Sequence, residues 1–139
     1  MLIDYFKLRD SAKDPVRANP SDAGLDVFYC PSDGRKELKI PSGHSVVVET
    51  GLKFGVPHGF MLEVKNRSSV AAKKSLIVGA CVVDPGYDGE LFVNLHNIGT
   101  EAQTVEPSGP HDPRHYAVEM TYIAIEEGTH GLPDGSMIV

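Results

Sequence analysis

The sequence predicts an all-β domain, a jelly-roll-like β-barrel, and three observations support that prediction. Short apolar or alternating segments recur at close spacing along the 139 residues, each bounded by turn-forming residues. Glycine (14 residues) and proline (10 residues) are plentiful, as is typical of a chain with many tight turns. Helix-favouring composition is confined to Ser68–Lys74, which is too short for more than a turn or two. Many short strands joined by turns favour a barrel or a sandwich.

The predicted strands follow these segments in chain order. The first is Met1–Leu8, where apolar and polar side chains alternate, and a polar, turn-rich stretch follows over residues 10–22. A turn at Pro31–Gly34 separates the second strand from the third. The strands after the first are Leu25–Tyr29, Leu38–Ile40, Ser45–Glu49, Leu52–Phe54, Phe60–Val64, Leu76–Val83, Glu90–His96, Gln103–Val105 and Ala117–Ile125.

Composition indicates one soluble domain over residues 1–139. Hydrophobic residues make up 41% of the chain, which is enough for a core. The net charge of −6 argues against broad binding to nucleic acid or to a membrane surface, because both need a basic face. No apolar run approaches the ~20 residues of a membrane-spanning helix, and no signal-peptide pattern is present. Cys30 and Cys81 lack metal-ligand spacing, so we expect free thiols and a cytoplasmic protein.

The most informative segment is Gly79–Leu91, an apolar strand that runs into a tight turn. One acid, Asp84, stands at the end of the strand, and one aromatic residue, Tyr87, stands at the turn. Because Gly86 and Gly89 lack side chains and permit positive φ, such a hairpin can approach a small planar ligand closely. The same pattern also describes an ordinary turn, so this segment alone leaves both interpretations open.

A second segment concentrates positive charge. No acid occurs from Val64 to Val83, although this stretch holds four basic residues in a chain of net charge −6. The planar donors of Arg67 match phosphate oxygens, and Ser68 and Ser69 add hydroxyl and backbone N–H donors at a possible helix start. The alternative is a solvated polar turn in which a serine caps the helix.

A third segment, Ser21–Val27, places one acid in an apolar strand. Asp26 lies between Leu25 and Val27, and the alternation of a strand directs its carboxylate away from the side that its neighbours occupy. Such a carboxylate either caps a turn or holds a hydrated cation near a phosphate.

These three segments resemble the motifs of the trimeric dUTPase family, the dUTP pyrophosphatases. Ala23–Asp26 is similar to the first motif, Arg67–Ala71 to the second and Val82–Glu90 to the third. The resemblance covers about residues 1–105. It extends to the connecting strands and turns at Ile40–Gly43, Thr50–Leu52, Val56–Gly59 and Phe92–Gly99.

The resemblance implies hydrolysis of dUTP to dUMP and pyrophosphate, with Mg²⁺ held by the triphosphate. Asp84 would then orient or deprotonate the water that attacks the α-phosphorus. Tyr87 would pack against the deoxyribose and leave no room for a 2′-hydroxyl. The hairpin backbone from Gly79 through Val83 to Tyr87 would recognise the edge of uracil, so base choice would need no dedicated side chain.

The phosphate-binding groups implied by the resemblance come from the other two motifs. Arg67, Ser68 and Ser69 would bind the phosphates. Asp26 would contact the metal indirectly, through metal-bound waters, so no side chain is expected to bind Mg²⁺ directly. The resemblance also implies a homotrimer with shared sites, in which Asp84 and Tyr87 lie on one chain and Arg67 and Ser68 on its neighbour.

Two stretches depart from the family pattern. The fourth motif usually reads Gly-x-Arg/Lys-Ile-Ala-Gln, whereas Gly109–Met120 places Ala117 or Val118 where the glutamine is expected. The fifth motif is a glycine-rich C-terminal arm with an arginine and an aromatic residue, and Thr129–Val139 has neither. We therefore expect that the core of the site is retained while its cover is absent or rebuilt, which weakens the clamping of a triphosphate.

Two other functions stay open at this stage. A dCTP deaminase shares the fold, but its catalytic glutamate would fall on Asn94, an amide that cannot shuttle protons. The missing glutamine and arm favour a non-catalytic nucleotide-binding or interaction protein on the same scaffold, whereas the retained Asp84 and Tyr87 argue against it. Nucleotide binding with and without Mg²⁺ separates these functions, because a pure interaction module should show no preference for dUTP.

Overall fold

The computed structural model describes residues 3–107 and three further strands. Within this part of the chain there are thirteen strands and one short helix, so the predicted all-β class is confirmed. The strands are β1 (Asp4–Lys7), β2 (Leu25–Val27), β3 (Leu38–Ile40), β4 (Ser45–Glu49), β5 (Leu52–Gly55), β6 (Leu62–Val64), β7 (Leu76–Val78), β8 (Val82–Val83), β9 (Phe92–Asn97), β10 (Gln103–Val105), β11 (Val118–Thr121), β12 (His130–Gly131) and β13 (Met137–Ile138), and the helix is α1 (Ser68–Lys74).

The described strands pair antiparallel in five small sheets. The two larger sheets have the orders β4-β9-β7 and β2-β11-β6-β8, and the pairs β1-β5, β3-β10 and β12-β13 complete the set. Eight strands, β2 to β7 with β9 and β10, contribute apolar side chains to one buried cluster. Its most buried members, each at most 2% exposed, are Val27, Ile40, Val48, Leu52, Leu62, Val64, Leu76, Leu91 and Val93.

Strand β9 shows how the alternation of side chains creates two faces. Val93 and Leu95 point into the core, whereas Phe92 is exposed and Asn94 and His96 are half-buried on the opposite face. The neighbouring strand β4 places Val47 directly across from Asn94 on that outer face. The outer face of this sheet therefore combines apolar side chains with two polar ones.

The predicted strand Leu76–Val83 is interrupted, and the interruption shapes the molecule. Its first part, β7, pairs with β9, and its second part, β8, pairs with β6 in the other sheet. The Gly79 amide still donates to the Asn94 backbone carbonyl at 2.9 Å, but the Ala80 amide donates to the Asn94 side-chain Oδ1 at 3.2 Å. Because a side chain replaces the backbone partner at Ala80, the ladder ends and the chain crosses to the second sheet.

Several other strands begin or end at different residues from those predicted. Strand β1 is shorter than Met1–Leu8, and β6 starts at Leu62 because Pro57 and Phe60 close a turn with a 3.2 Å backbone hydrogen bond. Strand β9 covers Phe92–Asn97 rather than Glu90–His96. The strand predicted at Ala117–Ile125 is confirmed over Val118–Thr121, and its remaining residues lie outside the described part.

Asn97 joins two loops to the core and should be important for stability. It is 1% exposed, its Nδ2 donates to the carbonyls of Ile40 (2.9 Å) and Glu101 (2.8 Å), and its Oδ1 accepts from the Gly99 amide (3.0 Å). We expect Asn97→Ala to lower the free energy of unfolding by about 2–4 kcal/mol, because it leaves buried backbone groups without partners. Urea denaturation followed by circular dichroism measures this loss.

The matched control for Asn97 is Ser42→Ala. Ser42 also bonds this loop, through its hydroxyl and the Gly99 carbonyl at 2.6 Å, but it is exposed, so its loss should cost less than about 1 kcal/mol. Equal losses in the two variants would contradict the role assigned to Asn97.

Candidate functional site

A pocket of about 320 Å³ lies where β8 and β9 part. It exists because the chain leaves one sheet at Gly79 and joins the other at Val82, so these two strands do not pair. Most of its wall is apolar, while Asp84 and Tyr87 lie toward the turn and Asn94 lies at the inner end. The lining also includes Val47, Val64, Ala80, Cys81, Val83 and Glu90.

The turn places the predicted acid and aromatic residue together at the mouth of the pocket. The Tyr87 amide donates to the Asp84 carbonyl at 3.1 Å, and the Tyr87 hydroxyl donates to the Glu90 carbonyl at 2.7 Å. The Asp84 side chain is exposed, and Tyr87 is 43% exposed. A carboxylate and a ring face therefore stand at the entrance, both accessible to a bound molecule.

The two glycines of the turn have different surroundings. Both permit positive φ, but neither is among the described glycines that adopt it. A Cβ on Gly89 would lie 2.7 Å from the Tyr87 hydroxyl oxygen, whereas a Cβ on Gly86 would meet nothing within 4 Å. Gly89 is therefore required by the close approach of the Tyr87 ring rather than by its backbone angle.

The inner end of the pocket depends on a third glycine. A Cβ on Gly79 would overlap the side chains of Asn94 and His96, so only glycine fits beside this pair. The Gly79 amide donates to the backbone carbonyl of Asn94 and is therefore engaged within the protein. Gly79 gives the inner end of the pocket its shape, and its amide hydrogen is not available to a ligand.

Arg67 and Asp26, predicted from separate motifs, contact each other. Arg67 Nη1 donates to Asp26 Oδ2 at 3.1 Å, and the two side chains are 24% and 12% exposed. A half-buried ion pair of this kind holds both side chains in place. Arg67 also occupies the N-cap position of α1 and makes no side-chain cap, so the alternative of a serine-capped turn is wrong. Ser68 and Ser69 are exposed in the first turn of the helix.

The two groups of predicted residues are far apart within one chain. In the ladder between β6 and β8, Leu62 lies opposite Val83, and the Val64 amide donates a hydrogen bond to the Cys81 carbonyl. Asp84 follows one end of this ladder and Arg67 follows the other. At ~3.3 Å per residue, about six residues along the strand direction separate them by roughly 20 Å. Arg67 and Ser68 do not line the pocket in the part of the chain that is described.

Glu90 forms a clamp with Arg9 that the sequence did not reveal. Its carboxylate accepts from Arg9 Nη1 at 3.0 Å, from Arg9 Nη2 at 2.6 Å and from the Gly51 amide at 2.6 Å. Burial raises the pKa of Glu90, but the hydrogen bonds from Arg9 and Gly51 outweigh it and hold that pKa below its ordinary value. Glu90 is therefore a charged structural group of the pocket wall rather than a proton donor.

The described residues show no metal cage. Residues 3–107 contain no group of three or more histidine, cysteine or acidic side chains able to hold a metal ion. Asp26, the acid predicted to act through metal-bound waters, accepts a hydrogen bond from Arg67. The altered fourth motif (Gly109–Met120) and the altered arm (Thr129–Val139) lie outside the described residues, apart from the backbone of β11, β12 and β13. No described helix is long and apolar enough to cross a membrane.

The fold and this pocket together define the class of the protein. A concave, mostly apolar site with a few convergent polar groups is typical of a small-molecule site. Its position between two parted strands of an all-β domain suits a flat ring that enters edge first. The protein is thus an all-β, jelly-roll-like domain with a pocket of the size and composition that small molecules occupy.

Comparison with known proteins narrows this class to one family. The dUTPase family model matches residues 10–108. The deoxyuridine 5'-triphosphate nucleotidohydrolase of Leptospira interrogans is 31% identical over 108 residues, which cover 76% of this chain and 72% of that protein. The protein of the same name from Fowl adenovirus A serotype 1 is 37% identical over 93 residues, which cover 67% of this chain and 49% of that one. The chain belongs to the dUTPase family, and its enzyme class is that of a dUTP diphosphatase.

Solved structures agree with the fold. The dUTPase of Staphylococcus bacteriophage 80alpha aligns over 86% of each chain with a TM-score of 0.71 at 18% identity. The native EIAV dUTPase aligns over 86% of each chain with a TM-score of 0.66 at 23% identity, and at these identities the likeness shows the fold alone. The dUTPase from phage phi11 of S. aureus has a TM-score of 0.64 at 25% identity and covers 71% of this chain and 61% of its own.

Proposed function

We propose that this protein hydrolyses the Mg²⁺ complex of dUTP to dUMP and pyrophosphate, by attack of water on the α-phosphorus. The reaction lowers dUTP and supplies dUMP. The observation that carries the proposal is the pocket between β8 and β9, with Asp84 and Tyr87 at its mouth, in a chain whose residues 10–108 match the dUTPase family. The pyrimidine enters this pocket, and the triphosphate stays outside it.

The pocket walls receive the nucleoside. Val64 and Val83 offer apolar contacts to the faces of a flat ring, while backbone groups between Gly79 and Val83 face the base edge. Tyr87 packs against the sugar, held in place by its hydroxyl bond to Glu90 and by the absence of a side chain at Gly89. This contact selects deoxyribose, because a 2′-hydroxyl would meet the ring.

Asp84 activates the nucleophile. Its exposed carboxylate stands at the mouth, where the α-phosphate follows the sugar out of the pocket. A carboxylate that accepts a hydrogen bond from water orients the oxygen toward phosphorus and takes up its proton as the bond forms. Asp84 holds the attacking water in position, and pyrophosphate leaves from the opposite side of the α-phosphorus.

Arg67, Ser68 and Ser69 bind the phosphates from a neighbouring copy of the chain. Within one chain they lie roughly 20 Å from Asp84, too far for one triphosphate site along a strand ladder. A homotrimer with composite sites brings the two groups together, each site taking Asp84 and Tyr87 from one subunit and Arg67 from the next. Asp26 holds the guanidinium of Arg67 in a fixed orientation for this contact.

The residues present fit a magnesium ion that arrives with the substrate. Mg²⁺ keeps several waters and needs few protein ligands when phosphates hold it, so no protein cage is required. When bound, it neutralises charge on the triphosphate. Asp26 would contact its waters while its Oδ2 accepts the hydrogen bond from Arg67. For comparison, a mutant of the phage phi11 dUTPase coordinates a structural Mg(II) ion.

A nucleotide panel tests the proposed function. Pyrophosphate release is measured for dUTP, dCTP, dTTP and UTP with Mg²⁺, and the products are separated by chromatography. Selective formation of dUMP supports the proposal. Conversion of dCTP to dUTP would instead identify a deaminase, and no turnover of any nucleotide would identify a binding or interaction protein on this scaffold.

Tyr87→Ala should relax discrimination against ribonucleotides. Without the ring, the space next to C2′ opens, so the ratio of kcat/KM for dUTP to that for UTP should fall by about tenfold or more. Side-by-side kinetics measure the ratio. Tyr87→Phe is the control, because it keeps the ring and loses only the 2.7 Å bond to the Glu90 carbonyl. An unchanged ratio in Tyr87→Ala would assign sugar selection to another group.

The cysteines support a cytoplasmic location for this activity. Cys30 is buried and Cys81 is partly exposed, and both are free thiols. Unpaired cysteines are typical of proteins in a reducing compartment. We therefore propose that the protein acts in the cytoplasm.

A further inference from the structure

Asn94 presents an oriented amide at the inner end of the pocket. Its Oδ1 accepts the backbone N–H of Ala80 at 3.2 Å, and its Nδ2 donates to the carbonyl of Val46 at 3.3 Å. A backbone N–H only donates and a backbone carbonyl only accepts, so these two partners determine which amide atom is oxygen and which is nitrogen. The orientation of Asn94 is therefore fixed from both sides.

His96 completes the environment of the oxygen. Its Nε2 lies 2.9 Å from Asn94 Oδ1, and because this oxygen accepts, Nε2 must carry a hydrogen. With Ala80 and His96 as donors, both acceptor positions of Oδ1 are used. Nδ2 carries two hydrogens and has Val46 as its partner within the described residues, which leaves one N–H for a molecule in the pocket.

The backbone amides next to Asn94 cannot take over this role. The Gly79 amide donates to the Asn94 carbonyl, and the Ala80 amide donates to Asn94 Oδ1. Two N–H groups of the hairpin are thus engaged at the point where the edge of a base would arrive. At this end of the pocket, the Nδ2 of Asn94 is the donor that can replace these two backbone amides.

The chemistry of the two common pyrimidines gives this donor a function. Uracil has a carbonyl oxygen at position 4, which accepts a hydrogen bond, whereas cytosine has an amino group there, which donates. Asn94 and Asp84 lie at opposite ends of the pocket, about 13 Å apart if counted over the four residues from Ala80 to Asp84. A nucleoside with its base inward and its 5′-carbon toward Asp84 therefore presents position 4 to Asn94.

We propose that Asn94 is a specificity-determining residue whose Nδ2 donates to the 4-carbonyl oxygen of the base and so selects uracil over cytosine. This inference rests on the proposed function and extends it, because it assigns base choice to a side chain in addition to the hairpin backbone. Cytosine would place its amino group against Nδ2 and leave two donors without acceptors, which a buried site penalises strongly.

Asn94→Asp tests the proposal with little change of shape. Aspartate keeps an acceptor for Ala80 and His96 but replaces the Nδ2 donor by an acceptor. Calorimetry with dUMP and dCMP measures binding without any need for catalysis. We expect the wild type to prefer dUMP, and the ratio of the two dissociation constants to shift toward dCMP by about tenfold or more in Asn94→Asp.

Two further variants keep the test decisive. Asn94→Leu removes the donor without adding charge, so it should also lose the preference even if Asn94→Asp folds poorly. His96→Gln retains an N–H donor toward Oδ1 and leaves Nδ2 in place, so it should keep the preference. A general loss of structure would abolish the binding of both nucleotides, which distinguishes it from a measurable change in their ratio.

The outcomes distinguish a failure of the role of Asn94 from a failure of the proposed function. A wild type that prefers dUMP, with both Asn94 variants retaining that preference, overturns the role of Asn94 and leaves the proposed function intact. A wild type that neither binds dUMP nor hydrolyses dUTP overturns the proposed function, and the role of Asn94 with it. Loss of the preference in both variants supports the assignment.

Discussion

Asp84→Asn should reduce kcat for dUTP by about a thousandfold or more while nucleotide affinity stays close to that of the wild type. Asparagine has the same shape as aspartate and still accepts a hydrogen bond from water, but it cannot take up the proton that the water loses. Asp84 is exposed at the mouth of the pocket, so the substitution should leave the fold unchanged. Single-turnover kinetics, with calorimetry using a non-hydrolysable dUTP analogue, separate chemistry from binding.

Asp88→Asn provides the matched control. Asp88 belongs to the same turn, is 83% exposed and pairs with Lys53 on the neighbouring strand. Its neutralisation removes the same charge from the same turn but touches no proposed catalytic group, so turnover should stay near that of the wild type. Comparable losses in the two variants would mean that the charge of the turn matters rather than a base at Asp84.

Mixing two inactive variants should restore activity if the sites are composite. A chain with Arg67→Met keeps Asp84, and a chain with Asp84→Asn keeps Arg67. When the two are exchanged at equal amounts into trimers, about a quarter of the sites receive both intact groups from adjacent subunits. Roughly a quarter of wild-type turnover should therefore return after subunit exchange, whereas each variant alone stays inactive.

The control for this mixing uses a chain that carries both substitutions. Exchange of Asp84→Asn with the double variant creates no site that has an intact Asp84, so no activity should return. Because Arg67→Met removes the guanidinium from the half-buried carboxylate of Asp26, Ser68→Ala is a second phosphate-side variant at an exposed position. Failure of both mixtures, with exchange verified by mass spectrometry, would place the complete site within one chain.

The sequence predicted those elements whose signals are local. Leu38–Ile40, Ser45–Glu49 and Gln103–Val105 are strands at the predicted residues, and Ser68–Lys74 is the helix that its composition indicated. Each is short, bounded by turn-forming residues, and needs no information from elsewhere in the chain. The sequence also predicted Asp84 and Tyr87 at one turn, since they are three positions apart.

The sequence did not reveal features that depend on distant partners. The strand at Leu76–Val83 reads as continuous, and only the side chain of Asn94 shows why it breaks at Ala80. Arg67 and Asp26 are 41 residues apart, so their ion pair has no local signal. The ring of Tyr87 occupies the space that a side chain at Gly89 would need, and the sequence alone gives no sign of this contact.

The clamp between Arg9 and Glu90 ties an early segment of the chain to the wall of the pocket. Residues near the start of a domain are commonly expendable, yet a tryptic cut after Arg9 would remove the partner of a half-buried carboxylate that lies 81 positions downstream. The second arm of the hairpin would lose that anchor. A nucleotide bound in the pocket favours the form in which Arg9 holds Glu90, so it should slow this cleavage. The rate of tryptic cleavage at Arg9 would then report whether the pocket is occupied, although the protease does not contact the pocket.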